Sequence, residues 1–385
     1  MSLKIVQIIP ALDAGGAERT VVEITGAVVA AGGQALIISA GGRMEEEIQA
    51  LGGVIAHLPV DSKNPYVMWH NANRIANLAR EFGADLLHAR SRAPAWSTRA
   101  ASRQLGLPFI TTYHGTYRTG GALKRRYNSI MASGDAVIAN SDFIARRIIS
   151  QHGIAKDRLT IIPRGVPPLY FDVPETVTDP APFLQSHGLP KDRPANEPLI
   201  VLPGRLTRGK GQEIAIEALT QLHGQHDKAH LVLAGDAQGR KQYVKSLYQQ
   251  IARAGLADYV HFCGHVQDMA ALYAGADIVL SASTVPEAFG RIAVESQASA
   301  RLIVASGHGG ALETITDGQT GFHFKPANAT DLAGVLKKVM ILDTALHSQI
   351  RLAGRKHARA HYSREAMCAK TLGVYRDLIS PLEGR

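Results

Sequence analysis

Short apolar runs of strand length alternate with stretches of helical spacing along nearly the whole chain. A chain with this rhythm buries its strands as parallel sheets wrapped by helices. In the first half the runs fall at 5–10, 35–39, 54–60, 85–88, 108–114, 136–141 and 159–163, each ending in a turn or polar residue. Apolar residues recur with helical period between them, as over 17–31 and 65–82. The rhythm breaks over 171–198, where Pro174, Pro180, Pro182, Pro190, Pro194 and Pro198 crowd together. It returns at 199–202, 230–234, 259–263, 277–283, 302–305 and 321–324, and from 330 to about 379 only helical spacing is left. The prediction is an α/β architecture of two Rossmann-like domains in series. A first domain takes 1–172, a linker and the approach to the second domain 173–198, and a second domain 199–362, while 363–385 form a terminal helix that crosses back to the first. The cleft between the domains is the expected ligand site.

At 385 residues the chain is too long for one compact core and comfortable for two. No apolar run reaches membrane-spanning length. The start, Met1-Ser2-Leu3-Lys4-Ile5-Val6, goes directly into a strand pattern without a basic, cleavable leader, so a cytoplasmic location is expected. Cys263 and Cys368 stand far apart, which predicts two free thiols, the first in a core and the second at a surface or helix position. The formal net charge of +9 has a local source. Residues 86–134 contain no Asp or Glu but carry Arg90, Arg92, Arg99, Arg103, Arg118, Lys124, Arg125 and Arg126. They predict a basic surface on the first domain, for anionic lipid, an acidic acceptor or nucleic acid, or as a plain solubilising face.

The chemistry-bearing residues gather where strands end. Glu287-Ala288-Phe289-Gly290-Arg291-Ile292-Ala293-Val294-Glu295 follows the run 277–283 and leads into helical spacing. Glu287 therefore belongs to a loop leaving a strand, and Glu295 to a position about two turns into the next helix. Two acids where α/β sheets bind phosphates point to neutral hydroxyls beside those phosphates, as in a nucleotide sugar. Gly204-Arg205-Leu206-Thr207-Arg208-Gly209-Lys210-Gly211 fits a P-loop until Gly211, where the magnesium-binding Ser or Thr is missing. What survives is Arg205 and Lys210 projecting from a strand–helix junction towards a phosphate, or a stripe of surface cations. The first strand–helix turn, Asp13-Ala14-Gly15-Gly16-Ala17-Glu18-Arg19, departs from the G-x-G-x-x-G of nicotinamide enzymes. Its paired glycines either admit a phosphate to the helix amino terminus or make a tight turn. There is no D-x-D clamp for a metal–nucleotide complex, and the 16 histidines give no convincing zinc spacing. His114 ends a strand run and precedes Gly115, a place that suits a structural or a catalytic histidine. His265 and His308 also follow strands.

Taken in order, Gly15-Gly16, His114-Gly115, Arg205 with Lys210, and Glu287 to Glu295 resemble the retaining glycosyltransferases of family 4, which have the GT-B fold, over nearly the whole chain. The resemblance implies metal-independent glycosyl transfer, with no cofactor, from a nucleotide-diphosphate sugar to a glycan or lipid-linked acceptor, UDP-sugars being favoured over GDP-sugars. It implies that Arg205 and Lys210 neutralise the diphosphate and that Glu295 binds the ribose hydroxyls. Glu287 would face the donor sugar, helped by the amides of Phe289 and Gly290. Val266, in the turn after Cys263, would pack on the base, and Gly309-Gly310 with Glu313 would form a second glycine-rich donor element. Gly15 and Gly16 would touch phosphate from the first domain, and His114 would lie near the sugar's reactive carbon. Ala288 and Arg291 are diagnostic of no particular sugar.

The acid-free stretch around His114 then suits an anionic or lipid-carried acceptor, met by Arg90, Arg92, Lys124, Arg125 and Arg126. Envelope polysaccharide or lipopolysaccharide assembly would fit, with peripheral attachment at the inner face of the cytoplasmic membrane. No nucleic-acid partner is expected. A nucleotide-sugar epimerase or hydrolase of the same fold, or a binding protein without turnover, are the other readings.

Overall fold

Isoleucine, valine and leucine dominate the strand-forming runs, and most strands are buried on both faces, as parallel strands covered by helices must be. The computed structural model describes residues 2–13, 15–117, 121–176, 186, 194 and 196–379. Ala14, Arg118, Pro180, Pro182 and Pro190 lie outside the described residues. The first sheet contains β1 (Lys4–Ile8), β2 (Gln34–Ser39), β3 (Val54–His57), β4 (Leu86–Ala89), β5 (Phe109–Tyr113), β6 (Ala136–Ala139) and β7 (Leu159–Ile161), in the order β3-β2-β1-β4-β5-β6-β7. The second contains β8 (Leu199–Pro203), β9 (His230–Ala234), β10 (Val260–Gly264), β11 (Ile278–Ser281), β12 (Leu302–Ser306) and β13 (Phe322–Phe324), in the order β10-β9-β8-β11-β12-β13. All pairings are parallel; across the centre of the second sheet Ile278 pairs with Ile200 and Val279 with Val201. The order reverses between β1 and β4 and between β8 and β11. Loops leaving those neighbours diverge, and open α/β sheets bind ligands in the resulting gap.

Helix limits follow local chemistry. Pro65–Phe82 starts with the Asn64 side chain accepting from Tyr66 N–H, has proline at its first position, and stops at left-handed Gly83. Asp142–His152 begins with Ser141 capping Ile144 N–H and ends at left-handed Gly153. Such a cap is worth about 1 kcal/mol. The purely helical end of the pattern resolves into Ala329–Met340, Thr344–Tyr362 and Arg364–Ile379. Among the described residues no helix is long and apolar enough to cross a membrane.

The chain divides into two compact units, one of Met1–Gly165 with Arg364–Arg385 and the other of Val166–Ser363. In the first, Met367, Cys368, Leu372 and Tyr375 of the helix Arg364–Ile379 join Ile5, Ile9, Val21 and Ile110 in one apolar cluster. Cys368 is therefore a helix residue but a buried one, because the apolar face of this helix covers the sheet. Cys263 is half-buried against the second core, and both thiols are free.

Candidate functional site

In the second unit, loops leaving β8, β11 and β12 converge at the reversal point of the sheet. The β8 loop passes Gly204 and Arg205, turns through Arg208–Lys210, and enters the helix Gln212–Gly224 at Gly211. Gly211 is left-handed (φ 72°), and a Cβ there would lie 1.9 Å from the Ala282 carbonyl oxygen. No hydroxyl-bearing residue fits where a P-loop needs one. Arg205 is exposed and makes no ion pair among the described residues.

The β11 loop is tied to the first by Thr284, whose N–H donates to the Gly209 carbonyl at 3.0 Å and whose hydroxyl donates to the Arg208 carbonyl at 3.2 Å. It presents Glu287. Lys210 Nζ donates to Glu287 Oε1 at 2.5 Å, and the Ser283 hydroxyl donates to the same oxygen. Burial pulls the Glu287 carboxyl upward, but the charge and hydrogen bond of Lys210, with the hydrogen bond of Ser283, outweigh it and hold the group below its ordinary range. Two residues predicted to grip ligand thus grip each other in the free protein.

The β12 loop supports this one from behind. Gly310 N–H donates to the Glu287 carbonyl at 2.9 Å, and a Cβ on left-handed Gly309 would come within 2.6 Å of that oxygen. Gly309 and Gly310 therefore hold the Glu287 loop in place. Glu313 follows on Ala311–Thr314, and its carbonyl accepts from the Tyr362 hydroxyl at 2.9 Å.

Glu295 lies one turn into its helix, not two, because Gly290 starts that helix at Arg291. It is 6% exposed; Oε1 accepts from Arg291 Nε at 2.6 Å and Oε2 from the Tyr273 hydroxyl at 3.1 Å. Burial first, then the Glu295 charge, push the Tyr273 phenol far above its ordinary range, so it stays a donor. The side chains of Phe289 and Val266 are buried in one apolar cluster with Tyr170 and Tyr273, which leaves their backbones to meet a ligand. The amides of Phe289 and Gly290 make no backbone hydrogen bond among the described residues.

The first unit holds the other predicted residues. His114 sits at the carboxyl end of β5. Arg164 Nη2 lies 3.4 Å from His114 Nδ1 and donates to the His114 carbonyl at 3.1 Å. Burial, then the charges of Arg164 and Arg90, hold the imidazole well below its usual range, so it is neutral. A guanidinium only donates, so Nδ1 accepts and the proton rests on Nε2, which is buried and makes no hydrogen bond among the described residues. Gly15 caps the helix Gly16–Ala30, and the Glu18 carboxylate folds over it, 2.5 Å from where a Cβ would stand.

The basic surface needs correction at Arg90. That side chain is 3% exposed; its Nε donates to Gln7 Oε1 at 3.1 Å and its Nη2 to the Tyr375 hydroxyl at 3.4 Å. Neutral acceptors satisfy the guanidinium inside the core. Arg92 is half-buried, 4.2 Å from the Tyr117 ring centre and bonded to Asn128 Oδ1 at 2.8 Å. Lys124, Arg125 and Arg126 are exposed on the helix Ala122–Ser129. Ser283, Tyr273 and Arg291 hold the two acids, yet the sequence reading gave them no role. The i, i+4 spacing of Arg291 and Glu295 is the one signal that could have found any of them.

Residues 14–168 match the model of the family described as Glycosyltransferase Family 4, and residues 190–357 that of Glycosyl transferases group 1. A glycosyltransferase from Rickettsia africae ESF-5 has a similar structure, with a TM-score of 0.89 and 34% identity over 98% of this chain and 99% of that one. Anabaena Alr3699/HepE in complex with UDP is similar with a TM-score of 0.84 and 25% identity, over 98% of this chain and 100% of that one. Its complex with UDP-glucose gives 0.80 and 26%, over 97% and 100%. An uncharacterized glycosyltransferase of Methanocaldococcus jannaschii is 28% identical over 281 residues, 70% of this chain and 69% of that protein.

Proposed function

The chain belongs to the family 4 glycosyltransferases and has their GT-B fold; from that footing we propose that it transfers a sugar, with retention and without a metal ion, from a nucleoside-diphosphate sugar. UDP-sugars are favoured over GDP-sugars, in keeping with the UDP and UDP-glucose complexes of Anabaena HepE. The observation that carries the reading is the meeting of Lys210, Ser283 and Glu287 where β8 and β11 end.

The chemistry follows from charge. As the bond from the anomeric carbon to the diphosphate breaks, negative charge grows on the leaving group, and Lys210 and Arg205 supply fixed cations for it. Glu295, steadied by Arg291 and Tyr273, accepts from ribose hydroxyls. Glu287 accepts from the sugar, and its lowered basicity makes it a poor proton acceptor. The acceptor's proton therefore passes to the departing phosphate oxygen as the new bond forms on the same face of the sugar.

The first unit takes the acceptor, with His114 Nε2–H as its hydrogen-bond donor. We assign it an anionic or lipid-linked glycan, as in envelope polysaccharide or lipopolysaccharide assembly at the inner face of the cytoplasmic membrane. The support is the exposed Lys124, Arg125 and Arg126 beside Leu123, which is 87% exposed. Thermal melts with UDP, UDP-glucose, GDP and GDP-mannose test the donor, because a ligand of the folded state raises the midpoint. No shift with any of them at millimolar concentration would refute it. Release of free sugar from the donor, indifferent to any acceptor, would make the protein a hydrolase instead.

A further inference from the structure

Resting on the donor reading above, the cavity behind the Glu287 loop tells which side chains read the sugar. Its lining includes Ser283, Glu287, Gly290, Ser306, His308 and Ala311, and it has room for about one hydroxyl or water. Two polar atoms of these residues, Ser306 Oγ and His308 Nδ1, are buried and make no hydrogen bond among the described residues. The proton on His308 can be placed. Its Nε2 lies 2.8 Å from the Ser283 carbonyl oxygen, and a carbonyl only accepts, so Nε2 donates. In the neutral ring Nδ1 is then a bare acceptor.

Beside it stands a second acceptor, the Glu287 carboxylate, whose Oε1 already receives Lys210 and Ser283. A space bounded by an imidazole lone pair and a carboxylate disfavours phosphate or carboxylate oxygens. It calls for an O–H that donates to one of them and accepts from the Ser306 hydroxyl. We propose that His308 and Ser306 form a subsite for one hydroxyl of the donor sugar, with His308 Nδ1 as the acceptor that determines which sugar fits.

The test separates recognition from support. In His308→Gln the side-chain amide can still donate to the Ser283 carbonyl from near the Nε2 position, but nothing replaces the Nδ1 lone pair. In His308→Asn an amide oxygen stands near Nδ1. Titration with UDP and with UDP-glucose, together with kcat/KM, gives the readout. His308→Gln should bind UDP within about twofold of the wild type while losing on the order of tenfold in UDP-glucose affinity and kcat/KM. His308→Asn should lose less. One monodeoxy analogue of UDP-glucose should lose a similar factor on the wild type and nothing further on His308→Gln.

An unchanged UDP-glucose to UDP affinity ratio in His308→Gln would overturn the subsite. So would an equal loss of both ligands, which would mean that His308 only supports the loop. A wild-type protein that binds no sugar nucleotide would overturn the donor reading itself, a different result from wild-type transfer with an indifferent His308→Gln.

Discussion

Lys210→Ala separates the structural from the catalytic duty of one cation. Lys210 donates to Glu287 Oε1 at 2.5 Å, and the two side chains are only about a quarter exposed (25% and 24%). Removing the amine leaves a largely buried carboxylate with the Ser283 hydroxyl as its remaining side-chain donor among the described residues. A hydrogen bond to a charged group is worth roughly 1.5–3 kcal/mol. For a unit of this size about 2 kcal/mol lowers the melting midpoint by roughly 4–8 °C. Without the Lys210 charge and hydrogen bond, the upward pull of burial is less opposed, and the Glu287 carboxyl titrates higher than in the wild type. The double variant Lys210→Ala with Glu287→Gln should recover most of the lost midpoint, since an amide needs no counter-charge. It should recover no activity. Loss of one such contact to a leaving group costs about 3 kcal/mol, on the order of a hundredfold in kcat. Melting curves and nucleoside-diphosphate release on the two single variants and the double variant complete the cycle. Near-normal kcat in Lys210→Ala, or a double variant no more stable than Lys210→Ala, would refute the reasoning.

The histidines His88 and His114 are both held below their ordinary value of 6.5, chiefly by burial. Unfolding lets them take up protons, so their contribution to stability is in place above about pH 6.5 and is lost as pH falls. The wild-type midpoint should fall between pH 7 and 5 more steeply than that of His114→Gln; parallel curves would contradict this. Gly211→Ser, which completes the P-loop pattern, should cost at least 1–3 kcal/mol through strain against the Ala282 carbonyl, read as a lower midpoint and no gain in magnesium-dependent nucleotide binding. Co-sedimentation with vesicles containing anionic lipid should weaken with salt and in Lys124→Glu with Arg125→Glu; indifference to lipid charge would remove the membrane proposal.

Much of the architecture could be read from period alone. The apolar runs became strands, and the helical spacing over 65–82 became a helix whose limits, at Asn64, Pro65 and Gly83, depend on neighbours in sequence. At the site, the pair Glu287 and Glu295 and the cations Arg205 and Lys210 were visible because loop and helix spacing placed them at strand ends. Contacts between distant residues were not. Arg90 reads as a surface charge until Gln7 and Tyr375, far away in the chain, are seen to satisfy it. The Lys210–Glu287 pair spans 77 positions, and nothing local says that the two meet. Cys368 looked peripheral because a lone thiol on a helix does not declare which face the sheet will cover.

The helix Arg364–Ile379 also sets an order of manufacture. Val166–Ser363 is one uninterrupted stretch, so the second unit can mature as soon as it leaves the ribosome. The first sheet is made earlier yet must wait. Until residues beyond 364 emerge, His88 Nδ1 lacks the Tyr375 hydroxyl that meets it at 2.8 Å, and Ile5, Ile9 and Ile110 lack their cover. The half translated first is thus the half completed last, and during that delay its greasy flank is what a chaperone would find.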